Sequence, residues 1–388
     1  MNYETLILAK GKEKALERKH PWIFSGAFKN IPSHLQGGEI IEVLDSKNNF
    51  KAIGFFSLGR IAVKVLSFSA VENIEDLLKE SIENAVEYRS SLGFFDDKKT
   101  NCQRLIFGEA DSLPGLIVDQ YDHTAVIQLH HKAWLGFLNT IAENLLGKNG
   151  IRNVYHKLSE KISTSEIKSS YLIGEKEDVE IKENGHSFLV DWEDGQKTGF
   201  FIDQRENRRI LGEFSNAKSI LNCFSYTGGF SIYALKNGAS KVVSVDISQS
   251  AIDMANANAD LNRCSEKHEG FAQDVFEYLK ENGDQFDIII LDPPAFSKNR
   301  RTLHNAVQAY KRLNLLAFKK IKKGGLVFSF SCSQHVNPKL FEDTIRAAAL
   351  ESNRKINIIQ KLGQPSDHPM NIYYPEGEYL KGLILRID

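Results

Sequence analysis

The segment SILNCFSYTGGFSIYALKNGASKVVSVDIS, which spans residues 219 to 248, decides the fold. Its apolar beginning predicts a buried strand that ends at Phe224, and Gly228-Gly229 predicts a tight turn into a helix. A second apolar strand then ends at Asp246, whose carboxylate is placed to accept hydrogen bonds from both ribose hydroxyls of a nucleotide. This geometry serves dinucleotides and S-adenosylmethionine alike, and a purely structural turn is a third interpretation.

Strands and helices alternate regularly around this segment, from Gly195 toward the end of the chain. The pattern predicts an α/β fold with a doubly wound sheet, whose ligands bind beyond the carboxyl ends of the strands. A full G-x-G-x-x-G fingerprint is missing, which disfavours a dinucleotide, and Asp274 falls where a third strand should end, near an adenine amino group. The predicted strands are 219–224, 241–246, 286–292 and 326–331, and the predicted helices are 230–237, 249–261 and 306–321.

A second motif, FDIIILDPPAFSKN, begins at Phe286 and predicts a buried parallel strand with Asp292 at its carboxyl end. Pro293 and Pro294 stiffen the turn and remove two amide donors, which leaves carbonyl groups and the acid to meet a planar, amino-bearing base. A rigid loop with a capping aspartate is the structural alternative.

A third motif, GGLVFSFSCSQHV, places Cys332 just past the end of another buried strand. Cysteine is commonly a small core residue, but Ser331 and Ser333 on either side argue against a dry core. Beside a carboxylate at a strand end, Cys332 is predicted to be a nucleophile. Cys102, Cys223 and Cys264 are expected to be structural, and the absence of a C-x-x-C pair suggests neither a metal site nor a disulfide framework.

The chain before Gly195 reads as two further units. Strands at 39–44, 51–57 and 61–68 predict a small β-rich barrel or sandwich, followed by a helix at 74–91. A compact α+β unit follows, with a hairpin of strands 116–119 and 124–130, a helix at 134–146, a strand at 153–157, and a hairpin of strands 179–182 and 187–191 across Asn184-Gly185. We therefore expect three domains, at 1–72, 73–194 and 195–388.

Overall charge does not indicate a nucleic-acid partner, since the 388 residues carry a net charge of −1 and the pI is near 6.8. Charge acts locally, however, and KGKEKALERKH (residues 10–20) and KNRR (residues 298–301) are basic patches, although each is also typical of a solvated surface. No signal peptide or membrane-spanning apolar stretch is present, so we expect a cytoplasmic protein without a membrane partner.

Several longer blocks resemble the bacterial large-subunit 23S rRNA 5-methylcytosine methyltransferases, nearly end to end and in order. The blocks are HPWIFSGAF (20–28), RLIFGEADSLPGLIVDQYD (104–122), GQKTGFFIDQRENR (195–208), NCFSYTGGFS (222–231), SVDIS (244–248), LDPPAFSK (291–298), FSCS (330–333) and DHPMNIYYPEGEYLKG (367–382).

The resemblance implies an RNA-binding PUA domain, a central α+β domain and a Rossmann-like class I methyltransferase domain. It implies S-adenosylmethionine as cofactor, S-adenosylhomocysteine as product and no metal. The expected cofactor-binding residues are Asp203, Gln204, Arg205, Phe224, Tyr226, Thr227, Gly228, Gly229, Asp246, Ile247, Asn262, Asp274, Asp292 and Pro293. The expected RNA-binding residues are Lys10, Lys12, Lys14, Arg18, Lys19, Arg300 and Arg301.

The motif around Asp292 lacks the second cysteine of the two-cysteine RNA cytosine methyltransferases. It resembles the single-cysteine arrangement that is also found in 5-methyluridine enzymes, whereas a related guanine-methylating family lacks the S-C-S block. We expect the Cys332 thiolate to add to carbon 6 of cytosine, and a protonated Asp292, with a raised pKa, to steady the charge at N3. The base that removes the carbon 5 proton is not identified by the sequence.

The expected substrate is 23S ribosomal RNA before full subunit assembly. The alternatives are a methyltransferase of another ribosomal RNA base (5-methyluridine or a guanine nitrogen), a non-catalytic RNA-binding factor and, more remotely, an NAD-dependent oxidoreductase. The sequence leaves open which nucleotide is methylated and whether the chain forms a homodimer.

Overall fold

The computed structural model describes residues 3–95, 98–159, 162, 168–177, 180–297 and 300–388. In the described part of the chain, four sheets follow one another: two of five strands, a two-stranded hairpin and one of seven strands. The fold is α/β, with a small β-rich N-terminal sheet, a central sheet and a doubly wound sheet in the C-terminal half, as predicted.

The N-terminal sheet has the order β1-β3-β4-β5-β2. Its elements are β1 (Glu4–Ile7), the short helix α1 (Lys14–Glu17), β2 (Trp22–Phe24), β3 (Ile40–Leu44), β4 (Phe50–Phe56) and β5 (Ile61–Ser67). Strands β3, β4 and β5 confirm the prediction to within a residue or two. Strands β1 and β2 were not predicted, because with four and three residues they are too short to show an alternating pattern.

The central sheet has the order β10-β9-β8-β7-β6 and carries two helices. Its elements are α2 (Ile74–Ser91), β6 (Cys102–Phe107), β7 (Leu116–Tyr121), β8 (Thr124–Leu129), α3 (Leu138–Leu145), β9 (Asn153–Lys157) and β10 (Ser170–Ile173). Helix α2 has the predicted bounds, since Asn73 caps it by accepting a hydrogen bond from the Glu75 amide at 3.0 Å. The helix predicted at 134–146 is shorter, because Lys132–Phe137 forms a 3₁₀ turn before α3 begins.

A hairpin follows, made of β11 (Glu180–Glu183) and β12 (His186–Leu189), while residue 179 of the predicted strand lies outside the described residues. Asn184 and Gly185 both have positive φ angles, +50° and +80°, as the two-residue turn of this kind requires. The predicted pairing is therefore present.

The seven-stranded sheet has the order β15-β14-β13-β16-β17-β19-β18. Its elements are α4 (Arg205–Phe214), β13 (Ser219–Cys223), α5 (Gly229–Lys236), β14 (Lys241–Asp246), α6 (Gln249–Leu261), β15 (His268–Ala272), α7 (Val275–Asn282), β16 (Ile288–Leu291), α8 (Leu303–Lys320), β17 (Gly325–Ser331), α9 (Pro338–Ser352), β18 (Ile356–Gly363) and β19 (Lys381–Ile387). Strands β13 to β17 pair in parallel, so their carboxyl ends meet at one edge, and β19 is antiparallel to both of its neighbours. Helix α6 and strand β14 have the predicted bounds.

The hairpin forms a two-stranded sheet of its own and packs against the helices of the seven-stranded sheet as well as against the central sheet. Ile181 and Phe188 share a core cluster with Ile232 and Tyr233 of α5. Asn258 of α6 also accepts a hydrogen bond from the Leu189 amide at 2.8 Å. Cys102 of β6 and Tyr121 of β7 belong to the same cluster, and the Asn101 amide donates a hydrogen bond to the Lys182 carbonyl at 3.0 Å. The hairpin therefore contacts both the central sheet and helices α5 and α6, and the boundary at residues 194 and 195 stays a prediction.

No helix within the described residues is both long enough and apolar enough to cross a membrane.

Candidate active site

A cavity of about 490 Å³ opens at the edge where β13, β14, β16 and β17 end. Twelve of the predicted site residues line it, namely Asp203, Gln204, Phe224, Tyr226, Thr227, Gly229, Asp246, Ile247, Asp274, Asp292, Pro293 and Cys332. Residues that lie far apart in the sequence thus meet in one place, because parallel strands bring their carboxyl ends together.

The turn between β13 and α5 forms one wall of the cavity. Phe224, Tyr226 and Gly228 have φ angles of +58°, +46° and +80°, which is costly for the two aromatic residues. The turn is held by Asp246 at the end of β14, which accepts hydrogen bonds from the amides of Tyr226 and Ser248, both at 3.0 Å. The first glycine of the pair faces α6, because a Cβ atom on Gly228 would lie 3.0 Å from Cβ of Ala255.

Tyr226 also connects this turn to the segment that begins at Gly195. Its hydroxyl accepts a hydrogen bond from the Gln196 amide at 3.0 Å and donates one to the Gly199 carbonyl at 3.1 Å. Lys197 lies within this clamped segment, and its exposed side chain lines the cavity. Tyr226 therefore holds the backbone of the segment that carries Lys197 at the cavity wall.

Asp274 is the N-terminal cap of α7 and lines the cavity from the β15 side. Its Oδ1 atom accepts hydrogen bonds from the amides of Phe276 at 2.8 Å and Glu277 at 3.1 Å. The two bonds hold the carboxylate in place.

Asp292 follows β16 and is paired with a neutral side chain. Gln204 donates a hydrogen bond from Nε2 to Oδ2 of Asp292 at 3.0 Å, and its own carbonyl oxygen accepts one from Asn207 at 2.6 Å. Burial, and then the charge of the nearby Asp203, raise the pKa of Asp292 to about 7. The acid is thus partly protonated near neutral pH, as its expected role requires.

Asp203 keeps its charge although it is buried. Burial alone would raise the pKa of Asp203, but Lys197, His368 and a hydrogen bond from the Tyr379 hydroxyl outweigh it and lower that pKa. The Tyr379 hydroxyl donates to Oδ2 at 2.6 Å, whereas the buried Oδ1 has no partner within the protein. Two neighbouring carboxyl groups thus differ, one anionic and one poised to carry a proton.

Cys332 directly follows β17 and is half-buried. Its Sγ atom lies 3.9 Å from the Pro293 carbonyl oxygen, which brings the sulfur to the turn that carries Asp292. Burial raises the pKa of the Cys332 thiol to about 11, against the opposing charge of Lys197. The sulfur therefore lies beside the acid and in the cavity wall, and at rest it is a thiol.

Two predicted cofactor residues have other partners. Arg205 is buried, and it donates hydrogen bonds to Asp367 at 3.1 Å and to the Cys102 carbonyl at 2.7 Å. Asn262 donates a hydrogen bond to the Ser187 carbonyl at 2.7 Å. Neither side chain lines the cavity, so we no longer propose either one as a cofactor ligand.

The predicted RNA-binding residues lie outside the cavity lining. Lys10, Lys12, Lys14, Arg18 and Lys19 are exposed on the N-terminal domain. Arg301 lies in the 3₁₀ turn Arg300–Thr302 and is exposed, while residues 298 and 299 and the Arg300 side chain fall outside the described part of the structure.

Three cations at or behind the cavity wall were not predicted as site residues. Lys197 and Arg208 line it, and Lys381 is buried behind Cys332. All three fall inside the blocks GQKTGFFIDQRENR and EYLKG that carry the family resemblance. Their position in those blocks was the available signal.

The cavity's polar groups fit S-adenosylmethionine. The unpartnered Oδ1 of Asp203 and the buried, unpartnered Oγ of Ser225 are available to ligand amino or hydroxyl groups. Phe224 and Ile247 supply apolar surface for an adenine ring. Among the described residues, no cluster of three or more His, Cys, Asp and Glu side chains is arranged to hold a metal ion.

Comparison with known proteins gives two matches to family models. A model described as S-adenosylmethionine-dependent methyltransferase matches residues 151–385, and a PUA-like domain model matches residues 6–68.

Curated relatives match along nearly the whole chain. Ribosomal RNA large subunit methyltransferase I of Aeromonas salmonicida is 38% identical over 392 residues, covering 98% of each chain. The protein of the same name from Escherichia coli (strain SMS-3-5) is 37% identical over 397 residues, covering 98% of this chain and 99% of its own.

Solved structures share the fold. A methyltransferase structure complexed with SAH has a TM-score of 0.87 at 23% identity, covering 99% of this chain and 100% of that one. A SAM-dependent methyltransferase structure from Streptococcus mutans has a TM-score of 0.86 at 22% identity, with the same coverage.

Proposed function

We propose, on the premise that this chain belongs to the family of S-adenosylmethionine-dependent ribosomal RNA large subunit methyltransferases, that it methylates carbon 5 of a cytosine in large-subunit ribosomal RNA. The observation that carries the proposal is the presence of Cys332 and Asp292 in the wall of one cavity with the nucleotide-type turn at 224–229. A thiol, an acid of raised pKa and a cofactor pocket are the parts that pyrimidine carbon methylation needs.

The residues proposed to hold S-adenosylmethionine follow from their positions. We propose that Asp246 binds the ribose hydroxyls, Asp274 the adenine amino group and Asp203 the amino group of the methionine part, since all three line the cavity. When bound, the cofactor supplies an electrophilic methyl group, and it leaves as S-adenosylhomocysteine. The protein's task is to bind it beside the target base and to keep water away from the reacting atoms.

Cys332 and Asp292 are proposed to make the base reactive. The Cys332 thiol loses its proton to solvent through the open cavity, and the thiolate forms a bond to carbon 6 of the ring. The electron pair of the carbon 5–carbon 6 double bond moves toward carbon 5, while Asp292 donates a proton or hydrogen bond at N3. After carbon 5 has been methylated, its proton leaves to a base, the carbon 5–carbon 6 double bond reforms and the sulfur departs as a thiolate. The proton at N3 returns to Asp292, which restores the acid.

Access to the cavity requires an unpaired base. We propose that the target cytosine is single-stranded or flipped out, in RNA that has not completed subunit assembly, and that the reaction takes place in the cytoplasm. Residues 1–72 are proposed to contact the RNA through Lys10, Lys12, Lys14, Arg18 and Lys19, with Arg300 and Arg301 contacting phosphates. Residues 73–194 are proposed to be the central domain, and residues 195–388 the methyltransferase domain.

The test is methylation of deproteinised ribosomal RNA with labelled cofactor, followed by nucleoside analysis. We expect label in 5-methylcytosine with the wild-type protein and with the control Cys264→Ala, which removes a half-buried cysteine outside the cavity lining. We expect Cys332→Ala to lose activity by at least about 10³-fold, while still binding the cofactor.

Other outcomes identify the alternatives. Full activity of Cys332→Ala rules out the covalent route, and label in 5-methyluridine or a methylguanine changes the target base. Cofactor binding without transfer to any RNA fraction indicates a non-catalytic RNA-binding factor.

A further inference from the structure

Lys381 is a buried cation directly behind the proposed nucleophile. It is the first residue of β19, and the antiparallel register places it opposite Ser331, the residue before Cys332. Its side chain is buried, and Nζ donates hydrogen bonds to the carbonyl groups of Ser333 and Tyr379, both at 2.7 Å. One ammonium group therefore ties down both the turn that carries Cys332 and the start of its own strand.

This ammonium has no carboxylate at salt-bridge distance among the described residues. Burial lowers the pKa of Lys381 to about 8, while Cys332 and Glu378 act in the opposite direction. Two carbonyl groups compensate only part of the cost of burying a charge. A buried cation in this position is explained if a negative charge forms next to it during the reaction.

Cys332 is the group on which that charge forms. We propose that Lys381 is a positioning residue that holds the Ser331–Ser333 turn and acts as the fixed counter-charge of the Cys332 thiolate. The inference rests on the proposed function, in which Cys332 attacks as a thiolate and its proton leaves to solvent. Lys381 is not a proton donor in this step, and it carries its charge at pH values below its pKa of about 8.

Several other groups act on the same sulfur. Lys197 and Lys381 lower the pKa of Cys332, while Asp292 and Asp203 raise it. The hydroxyl groups of Tyr310 and Tyr379 also lie near, and Cys332 contributes to raising the pKa of each.

Lys197 differs from Lys381 in its setting. It is exposed at the cavity wall, and its charge also acts on Asp203 and Asp292. Solvent screens such a charge, and bound RNA or cofactor can pair with it. Lys381 is held by two hydrogen bonds in the protein interior, so its charge stays at one distance from the sulfur.

The experiment measures the ionisation of Cys332 without using methyl transfer. The full-length protein is treated with iodoacetamide at pH values from 6 to 10, and alkylation of the Cys332 peptide is followed by mass spectrometry, which separates it from Cys102, Cys223 and Cys264. The wild type is compared with Lys381→Met, Lys381→Gln and Lys381→Arg. Lys361→Met, on the neighbouring strand β18, is the matched control, because Lys361 is exposed and paired with Glu342.

We expect both neutral variants to slow alkylation about tenfold at pH 6–7, where Lys381 of the wild type is protonated. The difference should shrink as the pH rises through about 8, because the wild-type Lys381 then loses its own charge. Lys381→Arg should match the wild type at pH 6–7 and alkylate faster than it at pH 10, because the guanidinium keeps its charge. Lys361→Met should not differ from the wild type. Thermal melting and S-adenosylmethionine binding establish which variants are folded. Lys381→Gln provides the readout if Lys381→Met is not folded, because its amide can still donate to one of the two carbonyl groups.

A neutral variant that is folded and alkylates at the wild-type rate at pH 6–7 overturns the inference. A rate that changes by the same factor at every pH from 6 to 10 overturns it as well, since that pattern indicates a structural role alone. Failure of the proposed function appears elsewhere, as full activity of Cys332→Ala or as label in another nucleoside. The two proposals therefore fail by different observations.

Discussion

The burial of Asp292 has two consequences. It lets the acid hold a proton near neutral pH, and it makes the ionised form costly for the stability of the folded protein. Its pKa of about 7 lies above the ordinary carboxyl value, so the folded protein binds this proton more tightly than the unfolded chain does. The associated stability is complete at pH values below the unfolded-state pKa, near 4, and is lost as the pH rises through 7.

We expect Asp292→Asn to separate the effect on stability from the effect on catalysis. The amide keeps the shape and cannot ionise, so the variant should be more stable than the wild type by about 2–4 kcal/mol at pH 8 and nearly equal to it at pH 4. Its turnover should fall about 10²-fold, because the proton at N3 is lost. Melting curves at pH 4, 6 and 8 and single-turnover methylation check the two effects. A stability difference that is constant with pH would show that Asp292 is not the titrating group.

Neighbouring residues of one motif can have unrelated tasks. Gln204 and Arg205 adjoin in the D-Q-R block, yet Gln204 bonds to Asp292 in the cavity and Arg205 bonds to Asp367 in the interior. The sequence predicts that the block lies near the site, but side-chain direction depends on the helical turn at 202–204 and on partners more than a hundred residues away. Cys332 and Asp292 were predictable because a strand end fixes their direction.

At the scale of secondary structure, the hairpin of β11 and β12 braces the catalytic domain through Glu183. This carboxylate is fully buried and accepts two hydrogen bonds from Arg208, both at 2.8 Å, and one from the Tyr233 hydroxyl at 3.0 Å. Arg208 in turn lines the cavity. The hairpin thus supplies the counter-charge that lets an arginine stand in the cavity wall.

We expect Glu183→Gln to destabilise the protein by about 3–5 kcal/mol, because it leaves buried arginine charge uncompensated. Glu180→Gln, at the exposed end of the same strand, is the control and should change stability by less than about 0.5 kcal/mol. Urea unfolding followed by tryptophan fluorescence measures both variants. Equal effects of the two substitutions would contradict a bracing role for the buried carboxylate.

Elements with a complete local signal were predicted within a residue or two, and others were not. Helix α2 has a capping asparagine and helical spacing, and the β11–β12 turn has the Asn-Gly pair, so local sequence suffices for both. Strands β18 and β19 pair antiparallel at one side of a parallel sheet across a long intervening segment. No local pattern indicates that pairing, because it is fixed by the neighbouring strand β17.

At the scale of the whole molecule, all three domains meet around the catalytic domain. The central domain contributes Asp119, which accepts a hydrogen bond from the Thr198 hydroxyl at 2.6 Å, next to Lys197 in the cavity wall. The N-terminal domain contributes Trp22, which donates to Glu109 at 2.9 Å and packs against Tyr374 with ring centroids 4.8 Å apart. These contacts fix the N-terminal domain in a defined position relative to the cavity.

The proposed RNA contacts of the exposed cations in the N-terminal domain can be tested with salt, because phosphate contacts determine how strongly RNA affinity depends on salt concentration. We expect the triple variant Lys12→Gln, Lys14→Gln and Arg18→Gln to weaken RNA binding and to reduce the slope of log K against log salt concentration by about 2, at roughly 0.7 for each lost contact with single-stranded RNA. Cofactor affinity should not change.

The matched control removes three exposed cations from the far end of the chain, in Lys339→Gln, Arg346→Gln and Lys361→Gln. Filter binding measures both variants at salt concentrations from about 50 to about 300 mM, over which the Debye length shortens from about 14 to about 6 Å. If the control lowers the slope equally, net charge rather than the segment at 10–20 governs RNA binding. If neither variant changes the slope, the RNA does not lie across this face of the N-terminal domain. Each phosphate contact that is lost reduces the number of counterions released on binding, and the slope reports that number.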